Sequence, residues 1–286
     1  MISSTTAKAY PTGGTIATLP NWSMPAGYQI PTGLVQGLSY HPSFGLIWVA
    51  QGLGGGSASR PLLVSSLSGA FVSNLSLTTP SAIGVGYTFR SFTLNSDASM
   101  VWSHYDTNFG QGLRGYVYQG VFLGGGGIGG NGSATGAGVR AIVVEPGESF
   151  FYATQQGANS VATIDRSGTF TTFASVTSPS GLAIDPAGNI YVGAYGSNVV
   201  KITPGAVVTN YSSGTFTSPS ALTYDATRNM VVVGDSSDGT VYGVLPNGSS
   251  VTLGTGAGTI AGIVAVNGTI YIYDSGGSLK SVRLSY

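Results

Sequence analysis

Pairs of short apolar runs, each pair separated by a tight polar turn, recur along the chain. The clearest pair lies in residues 180–194, where Gly-Leu-Ala-Ile precedes the turn Asp-Pro-Ala-Gly-Asn and Ile-Tyr-Val follows it. A second pair begins at Ser220, about 40 residues later. Runs rich in β-branched and aromatic residues predict strands, and turn residues between them predict antiparallel hairpins. The repeated pattern therefore indicates an all-β chain.

Six copies of this pattern begin near residues 37, 91, 141, 181, 221 and 262. A third and a fourth strand follow in most copies, as in residues 160–164 and 170–173. A repeat of about 40 residues that contains four strands is typical of a β-propeller blade. The sequence predicts one six-bladed β-propeller, with residues 1–286 as a single domain.

The last copy has only three strands, at residues 263–266, 270–273 and 279–284. Residues 14–19, Gly-Thr-Ile-Ala-Thr-Leu, show the alternation of a further strand. We predict that this N-terminal strand pairs near Val282 and completes the last blade. Such pairing closes the ring and removes two exposed sheet edges.

The turn after the first strand carries a short polar residue in five copies: His41, Asn95, Glu145, Asp185 and Asp225. Asp and Asn accept hydrogen bonds from the backbone two residues further on, and Pro presets the φ angle of a turn. We therefore interpret these residues as turn formers and not as a metal-binding or catalytic set.

Only 7% of the residues are charged, the formal net charge is zero, and there is no cysteine. Ordinary soluble proteins have about 25% charged residues. Ten Lys and Arg spread over the whole chain argue against nucleic-acid binding by phosphate neutralisation. We find no signal-peptide pattern and no apolar run of membrane-spanning length. The expectation is a protein made in the cytoplasm, without membrane insertion.

Residues 179–192, Pro-Ser-Gly-Leu-Ala-Ile-Asp-Pro-Ala-Gly-Asn-Ile-Tyr-Val, together with residues 196–204, resemble the NHL-type repeat. They are similar, more loosely, to SMP-30 and virginiamycin-lyase propellers. The resemblance implies a six-bladed ring whose ligand face is formed by loops between blades and loops after the second strand. The enzymes among these relatives use a central divalent metal or catalytic His and Glu residues. Since the chain has only His41 and His104 and no such set can be placed, we expect neither catalysis nor a bound metal or cofactor.

Two sets of residues are expected at the mouth of the central channel, on this ligand face. The residues directly before the first strands are Gln36, Arg90, Arg140, Ser180, Ser220 and Ala261. The residues directly after the second strands are Gln51, His104, Tyr105, Asp106, Gln155, Gln156, Tyr195, Asp235 and Asp274. Together they predict a polar, hydrogen-bonding ring, which is the candidate ligand-binding site.

Two interpretations of this ring remain open. In the first, the arginines pair with Asp106 or stack on aromatic neighbours, and the ring is a solvated rim. In the second, Arg90 and Arg140 bind a carboxylate or a sulfate bidentately. Tyr105 and Tyr195 then stack on a sugar or a peptide group, which suits an acidic glycan.

Composition favours a non-catalytic interaction or structural module. A neutral surface rich in Ser, Thr and Gly is poorly protected against self-association, so it suits a protein packed in many copies. Phage virion components such as tail-fibre, receptor-binding or capsid-decoration proteins have this character. The expected location is the virion, and the expected partners are other virion proteins or a host-surface glycan. The alternative is a metal-dependent lactonase-like or lyase-like enzyme that acts on a small molecule.

Overall fold

The computed structural model of the protein describes residues 11, 13–29, 37–49, 51–52, 62–75, 87–96, 100–106, 110–116, 138–166, 169–214 and 216–284. All regular secondary-structure elements formed by these residues are β-strands. The short apolar runs of the sequence therefore form strands, as their β-branched and aromatic residues predict.

The strands of the N-terminal half are β1 Ile16–Thr18, β2 Tyr28–Gln29, β3 Leu38–His41, β4 Gly45–Val49, β5 Gln51–Gly52, β6 Leu62–Ser65, β7 Phe71–Leu75, β8 Tyr87–Leu94, β9 Met100–Asp106, β10 Gly110–Tyr116, β11 Val139–Val144 and β12 Phe150–Gln155. Those of the C-terminal half are β13 Ser160–Asp165, β14 Phe170–Ser175, β15 Pro179–Ile184, β16 Ile190–Ala194, β17 Val199–Ile202, β18 Val208–Asn210, β19 Pro219–Asp225, β20 Met230–Asp235, β21 Thr240–Val244, β22 Ser250–Gly254, β23 Ile260–Val266, β24 Thr269–Asp274 and β25 Ser278–Arg283.

Five four-stranded antiparallel sheets, which we call blades, account for most of these strands. Blade I contains β3, β4, β6 and β7, and blades II, III and IV contain β11–β14, β15–β18 and β19–β22. Blade V contains β23, β24 and β25 with β1 at its outer edge. Strands β8–β10 form a three-stranded sheet, and β2 pairs with β5. The first strands of neighbouring sheets contact one another, and β23 contacts β3, so the arrangement is a β-propeller.

The prediction of six blades is wrong, because the described residues form five four-stranded blades. The copy that begins near residue 91 forms the three-stranded sheet β8–β10 in the described residues. The sequence that follows this sheet is glycine-rich between residues 124 and 138. Glycine is depleted in strands because it has no side chain to pack and loses more backbone entropy than other residues. Residues 117–137 lie outside the described part of the chain.

The predicted N-terminal closing strand is confirmed. Strand β1 pairs with β25 in antiparallel register, with Ile16 opposite Val282 and Thr18 opposite Lys280. Leu19 N extends this contact by donating to Leu279 O of β25 at 2.9 Å, and Gly14 N donates to Leu253 O of β22 in blade IV at 2.8 Å. The outer edge of blade V is thus covered by the other end of the described chain.

The segment after β1 continues from blade V to blade I. Leu19 is buried in a cluster with Trp48 of β4, and the Trp22 ring meets the Trp48 ring edge-on at 5.0 Å. Trp22 Nε1 donates to Gly277 O at 3.1 Å, while Trp48 Nε1 donates to Ser65 Oγ at 3.0 Å. Both indole N–H groups therefore have partners, as buried tryptophans require. This aromatic contact joins the last blade to the first.

The closing contact predicts a large effect of a small substitution at Gly14. A Cβ added at Gly14 would overlap the backbone carbonyl oxygen of Arg283 and lie 2.9 Å from Val282 Cγ2. We expect Gly14→Ala to lower the free energy of unfolding by about 1–3 kcal/mol, as overpacking does. Chemical denaturation measures this difference. Gly205→Ala is the matched control, because the nearest atom to its added Cβ is Thr203 Oγ1 at 3.8 Å. Equal losses in the two variants would show that β1 does not constrain the ring.

Candidate functional site

The first strands of blades II to V and of the three-stranded sheet share a register shift, or β-bulge. The shifts lie between residues 89 and 91, 139 and 142, 179 and 182, 219 and 221, and 260 and 262. The residues inside them are members of the first candidate set: Arg90, Arg140, Ser180, Ser220 and Ala261. We expected these residues before the strands, whereas they lie within them. A bulge redirects a side chain and is frequent beside functional sites.

Arg140 and Gln156 are brought together at the bulge of blade II. Arg140 Nε donates to Gln156 Oε1 at 2.7 Å, and both side chains are half-buried. Gln156 directly follows β12, and its backbone N donates to Gly138 O at 3.1 Å. Among the described residues, the arginine is therefore held by a neutral amide.

Gln155 lies beside this pair and is buried. Its Oε1 accepts a hydrogen bond from Ser160 Oγ at 3.2 Å, across the turn between β12 and β13. Its backbone pairs with Val139 on β11 and with Ser160 on β13. Gln155 thus stabilises the turn that carries Gln156.

A chain of hydrogen bonds connects this turn to Tyr195 in blade III. Asn159 N donates to Gln156 O at 3.2 Å, and Ser178 N donates to Asn159 Oδ1 at 2.8 Å. Tyr195 N then donates to Ser178 O at 3.1 Å. Tyr195 is half-buried. The candidate residues of blades II and III therefore belong to one connected stretch of the surface.

Asp235 is buried at the end of β20, and its carboxylate organises the loop before β19. Oδ2 accepts from Thr217 N at 2.8 Å, and Oδ1 accepts from Ser218 N at 3.0 Å. Oδ1 also accepts from Ser237 N at 3.0 Å and Ser237 Oγ at 2.6 Å. Both oxygens are thus used within the protein. The same aspartate therefore links the connection entering blade IV to the turn after β20.

Asp274 occupies the corresponding position in blade V and is also buried. Its Oδ2 forms an ion pair with Lys280 Nζ at 2.6 Å, and its Oδ1 accepts from Gly276 N at 2.5 Å. Lys280 Nζ further donates to Ala257 O at 2.8 Å. The sequence analysis did not identify Lys280. Its position in β25, opposite Ile272 and two residues along the strand from the partner of Asp274, could have suggested the pair.

The other predicted members of the ring fall outside what the structure describes. Gln36 is outside the described residues. For Gln51, Arg90, His104, Tyr105 and Asp106 the backbone is described, within β5, β8 and β9, but the side chains lie outside the described part. The pairing of Arg90 with Arg140 and the role of Tyr105 stay predictions.

Sequence reasoning missed Thr154, a fully buried hydroxyl between blades II and III. Thr154 Oγ1 accepts from Ala141 N at 2.9 Å and donates to Ser180 O at 2.9 Å. The hydroxyl thereby satisfies the backbone N–H of Ala141 at the bulge of blade II and connects this bulge to the one at Ser180 in blade III. No feature of the sequence distinguishes this threonine, because its partners lie on other strands and in another blade.

On the opposite face, three of the five polar turn residues, Asp185, Asp225 and His41, have the structural role predicted for them. Asp185 Oδ1 accepts from Ala187 N at 3.0 Å, and Asp225 Oδ1 accepts from Thr227 N at 3.0 Å. His41 Nδ1 accepts from Ser43 N at 3.2 Å, although His41 also contacts Ser96 O through Nε2 at 3.1 Å. These side chains close their own turns in the manner of Asx turns.

A cluster of tyrosines packs against one of these turns. Tyr191 OH donates to Asp185 Oδ2 at 3.0 Å, and the Tyr191 ring contacts those of Tyr211 and Tyr224 at centroid distances of 4.8 and 6.0 Å. Burial raises the pKa of Tyr191, and the negative charge of Asp185 raises it further. The phenol is therefore held in its neutral form in the folded protein.

The described part of the chain contains no cluster of three or more His, Asp or Glu side chains placed to hold one metal ion. It also contains no helix with the length and apolar character needed to cross a membrane.

Comparisons with known proteins agree with the fold. A family model described as a beta-propeller repeat matches residues 152–198. No curated protein matches the sequence. Among solved structures, a gluconolactonase from Xanthomonas campestris is 14% identical with a TM-score of 0.60, over 98% of this chain and 96% of that one.

Two further solved structures have the same architecture. A streptogramin B lyase is 11% identical with a TM-score of 0.57, over 94% of this chain and 97% of that one. An auxiliary nutrient binding protein from Bacteroides ovatus is 14% identical with a TM-score of 0.62, over 97% of this chain and 78% of that one. At such identities the likeness shows the fold alone, and a single fold carries many functions.

The hydrogen bonds of Asp235 predict a structural role for this carboxylate. Asp235→Asn would turn one acceptor into a donor that faces a backbone N–H, so we expect a loss of about 1–3 kcal/mol in the free energy of unfolding. Urea denaturation measures it. Asp238→Asn is the control, because Asp238 is exposed and accepts only from Thr240 N at Oδ1 and, at 3.5 Å, from Tyr242 OH at Oδ2 among the described residues. For Asp238→Asn we expect the free energy of unfolding to change by no more than about 0.5 kcal/mol, because the site is exposed. An unchanged midpoint in Asp235→Asn would refute the structural role.

The raised pKa of Tyr191 predicts sensitivity to alkali. The unfolded chain loses the phenolic proton near pH ~10, whereas folded Tyr191 keeps it, so the free energy of unfolding falls as pH rises above about 10. Tyr191→Phe should be less stable at neutral pH by about 1–2 kcal/mol, because its hydrogen bond to Asp185 is lost. It should also lose stability less steeply in alkali than the wild type. Urea unfolding over a pH series checks both, and parallel pH curves for the two proteins would contradict the burial argument.

Proposed function

We propose that this protein is a non-catalytic interaction module, a rigid propeller that works in many copies within a phage virion. Its partners are other virion proteins, and the polar ring of the channel mouth provides a binding face for a host-surface glycan. The virion assignment rests on composition.

The observation that carries the proposal is the use made of the acidic side chains on the candidate face. Asp235 accepts hydrogen bonds from three residues of its surrounding loops, and Asp274 is neutralised by Lys280. A general base or a metal ligand needs lone pairs that face the reacting group. Here these lone pairs bind the protein's own loops, so the carboxylates act as structural supports of a binding surface.

Composition supports the multicopy role. With 7% charged residues and a formal net charge of zero, electrostatic repulsion between copies is weak. Apolar side chains are exposed on two outer strands, at Phe71 and Val72 in blade I and at Val208 in blade III. Weak single contacts then gain strength by multivalency when many copies are displayed together.

The second candidate is a metal-dependent lactonase-like or lyase-like enzyme. It is favoured by the likeness of the fold to a gluconolactonase and to a streptogramin B lyase. In this alternative the catalytic groups line the central channel of the propeller.

Native mass and metal content, measured on the same purified sample, distinguish the two candidates. Light scattering coupled to gel filtration should give a mass of several 28.9 kDa chains, and elemental analysis should give no stoichiometric metal. A monomer that retains one divalent ion per chain through dialysis against a chelator would reject the interaction module and favour the enzyme. A monomer without metal would reject the multicopy role.

A further inference from the structure

The bulge in β11 gives Arg140 an orientation that a regular strand would not. Strand pairing is interrupted between Val139 and Ile142, and Arg140 lies within that interruption. Ala141 N, which the bulge removes from the ladder, donates to Thr154 Oγ1 at 2.9 Å. The backbone on both sides of the arginine is therefore fixed, and its side chain is directed by the bulge.

Gln156 fixes the guanidinium group as well. Since an arginine N–H can only donate, the atom that receives the Nε–H must be the amide oxygen of Gln156. The backbone of Gln156 is itself held at both groups, because its N donates to Gly138 O at 3.1 Å and its O accepts from Asn159 N at 3.2 Å. Arginine and glutamine thus form a pre-organised pair.

Most of the polar groups that remain on this pair are donors. Nη1 and Nη2 of Arg140 and Nε2 of Gln156 can donate hydrogen bonds, and Gln156 Oε1 already accepts from Arg140 Nε through one of its two lone pairs. The ion pairs of the described residues are Arg228 with Asp225 and Lys280 with Asp274, so Arg140 has no carboxylate partner among them. A half-buried cation whose Nη groups have no carboxylate partner among the described residues matches an anionic acceptor.

We propose that Arg140 and Gln156 form a fork for the carboxylate of an acidic sugar. The planar donors of arginine match a carboxylate bidentately. The surroundings favour a sugar over a polyanion, because the chain carries no net charge and the neighbouring groups are hydroxyls, amides and the half-buried Tyr195. Tyr195 is connected to the Gln156 turn through Ser178 and Asn159. This inference rests on the proposed binding function and specifies the ligand class.

The test follows the Arg140 Nε–H signal by NMR in the full-length protein. The probe is D-glucuronate at constant ionic strength, and D-glucuronamide is its neutral counterpart. We expect the signal to shift with glucuronate and not with the amide. Arg140→Lys keeps the charge but removes the fork, and a loss of about tenfold or more in affinity is expected for charged hydrogen bonds. Affinities of the variants are compared by ligand-observed NMR.

Gln156→Glu supplies a second, independent variant. Its carboxylate would pair with Arg140 inside the protein and compete with the sugar, so glucuronate binding should be lost although the arginine is intact. Arg283→Ala is the control, because it removes the same charge from an exposed position on β25. Thermal melting of each variant confirms that it is folded.

Several outcomes overturn the fork. They are wild-type protein that shows no glucuronate binding, equal affinity in Arg140→Lys, and equal affinity for glucose 6-sulfate. Failure of the proposed function is distinguishable from these. Fork-dependent binding followed by chemical turnover of the sugar would support the fork and reject the non-catalytic role. An assembled, metal-free protein that binds no acidic sugar would support the interaction module and reject the fork.

Discussion

Ring closure by β1 is the constraint on which the rest of the structure depends. A propeller blade whose outer edge is unpaired exposes a row of backbone N–H and C=O groups. Here β1 covers that edge of β25, and the Trp22–Trp48 contact continues the closure into blade I. Every blade is positioned by its neighbours. The relative positions of the residues at the channel mouth therefore depend on this closure and not on local sequence.

The candidate face shows how a repeated backbone feature supports different side chains. Each bulge interrupts a first strand at an equivalent place, yet the residues there range from Arg140 to Ser180 and Ala261. The backbone geometry is a property of the repeat, whereas the chemistry depends on which residue occupies the bulge. Only an arginine at such a place combines a fixed orientation with a permanent charge. Blade II therefore differs from blades III to V in the side chain that its bulge carries, although their folds agree.

Much of this could be predicted from the sequence. Strand positions, the turn role of Asp185 and the pairing of residue 16 near Val282 follow from local alternation and turn chemistry. The number of blades could not be predicted. The repeat near residue 91 has strand-like segments, but they do not indicate how many strands complete a sheet. The Asp274–Lys280 pair and the hydroxyl of Thr154 were missed as well. Their partners are set by strand register or by the neighbouring blade, which local patterns do not specify.

Because charged residues are few in this chain, each charged side chain has a larger role in its structure. In a chain with ten acidic and ten basic residues, Asp235 organises loops, and Asp225 and Asp274 are paired with Arg228 and Lys280. A buried or half-buried charge without a partner is costly, because water is removed and nothing replaces it. Gln156 reduces that cost for Arg140 but does not neutralise the charge. Within the described residues the charge of Arg140 is not neutralised, and the carboxylate of the proposed sugar ligand would balance it.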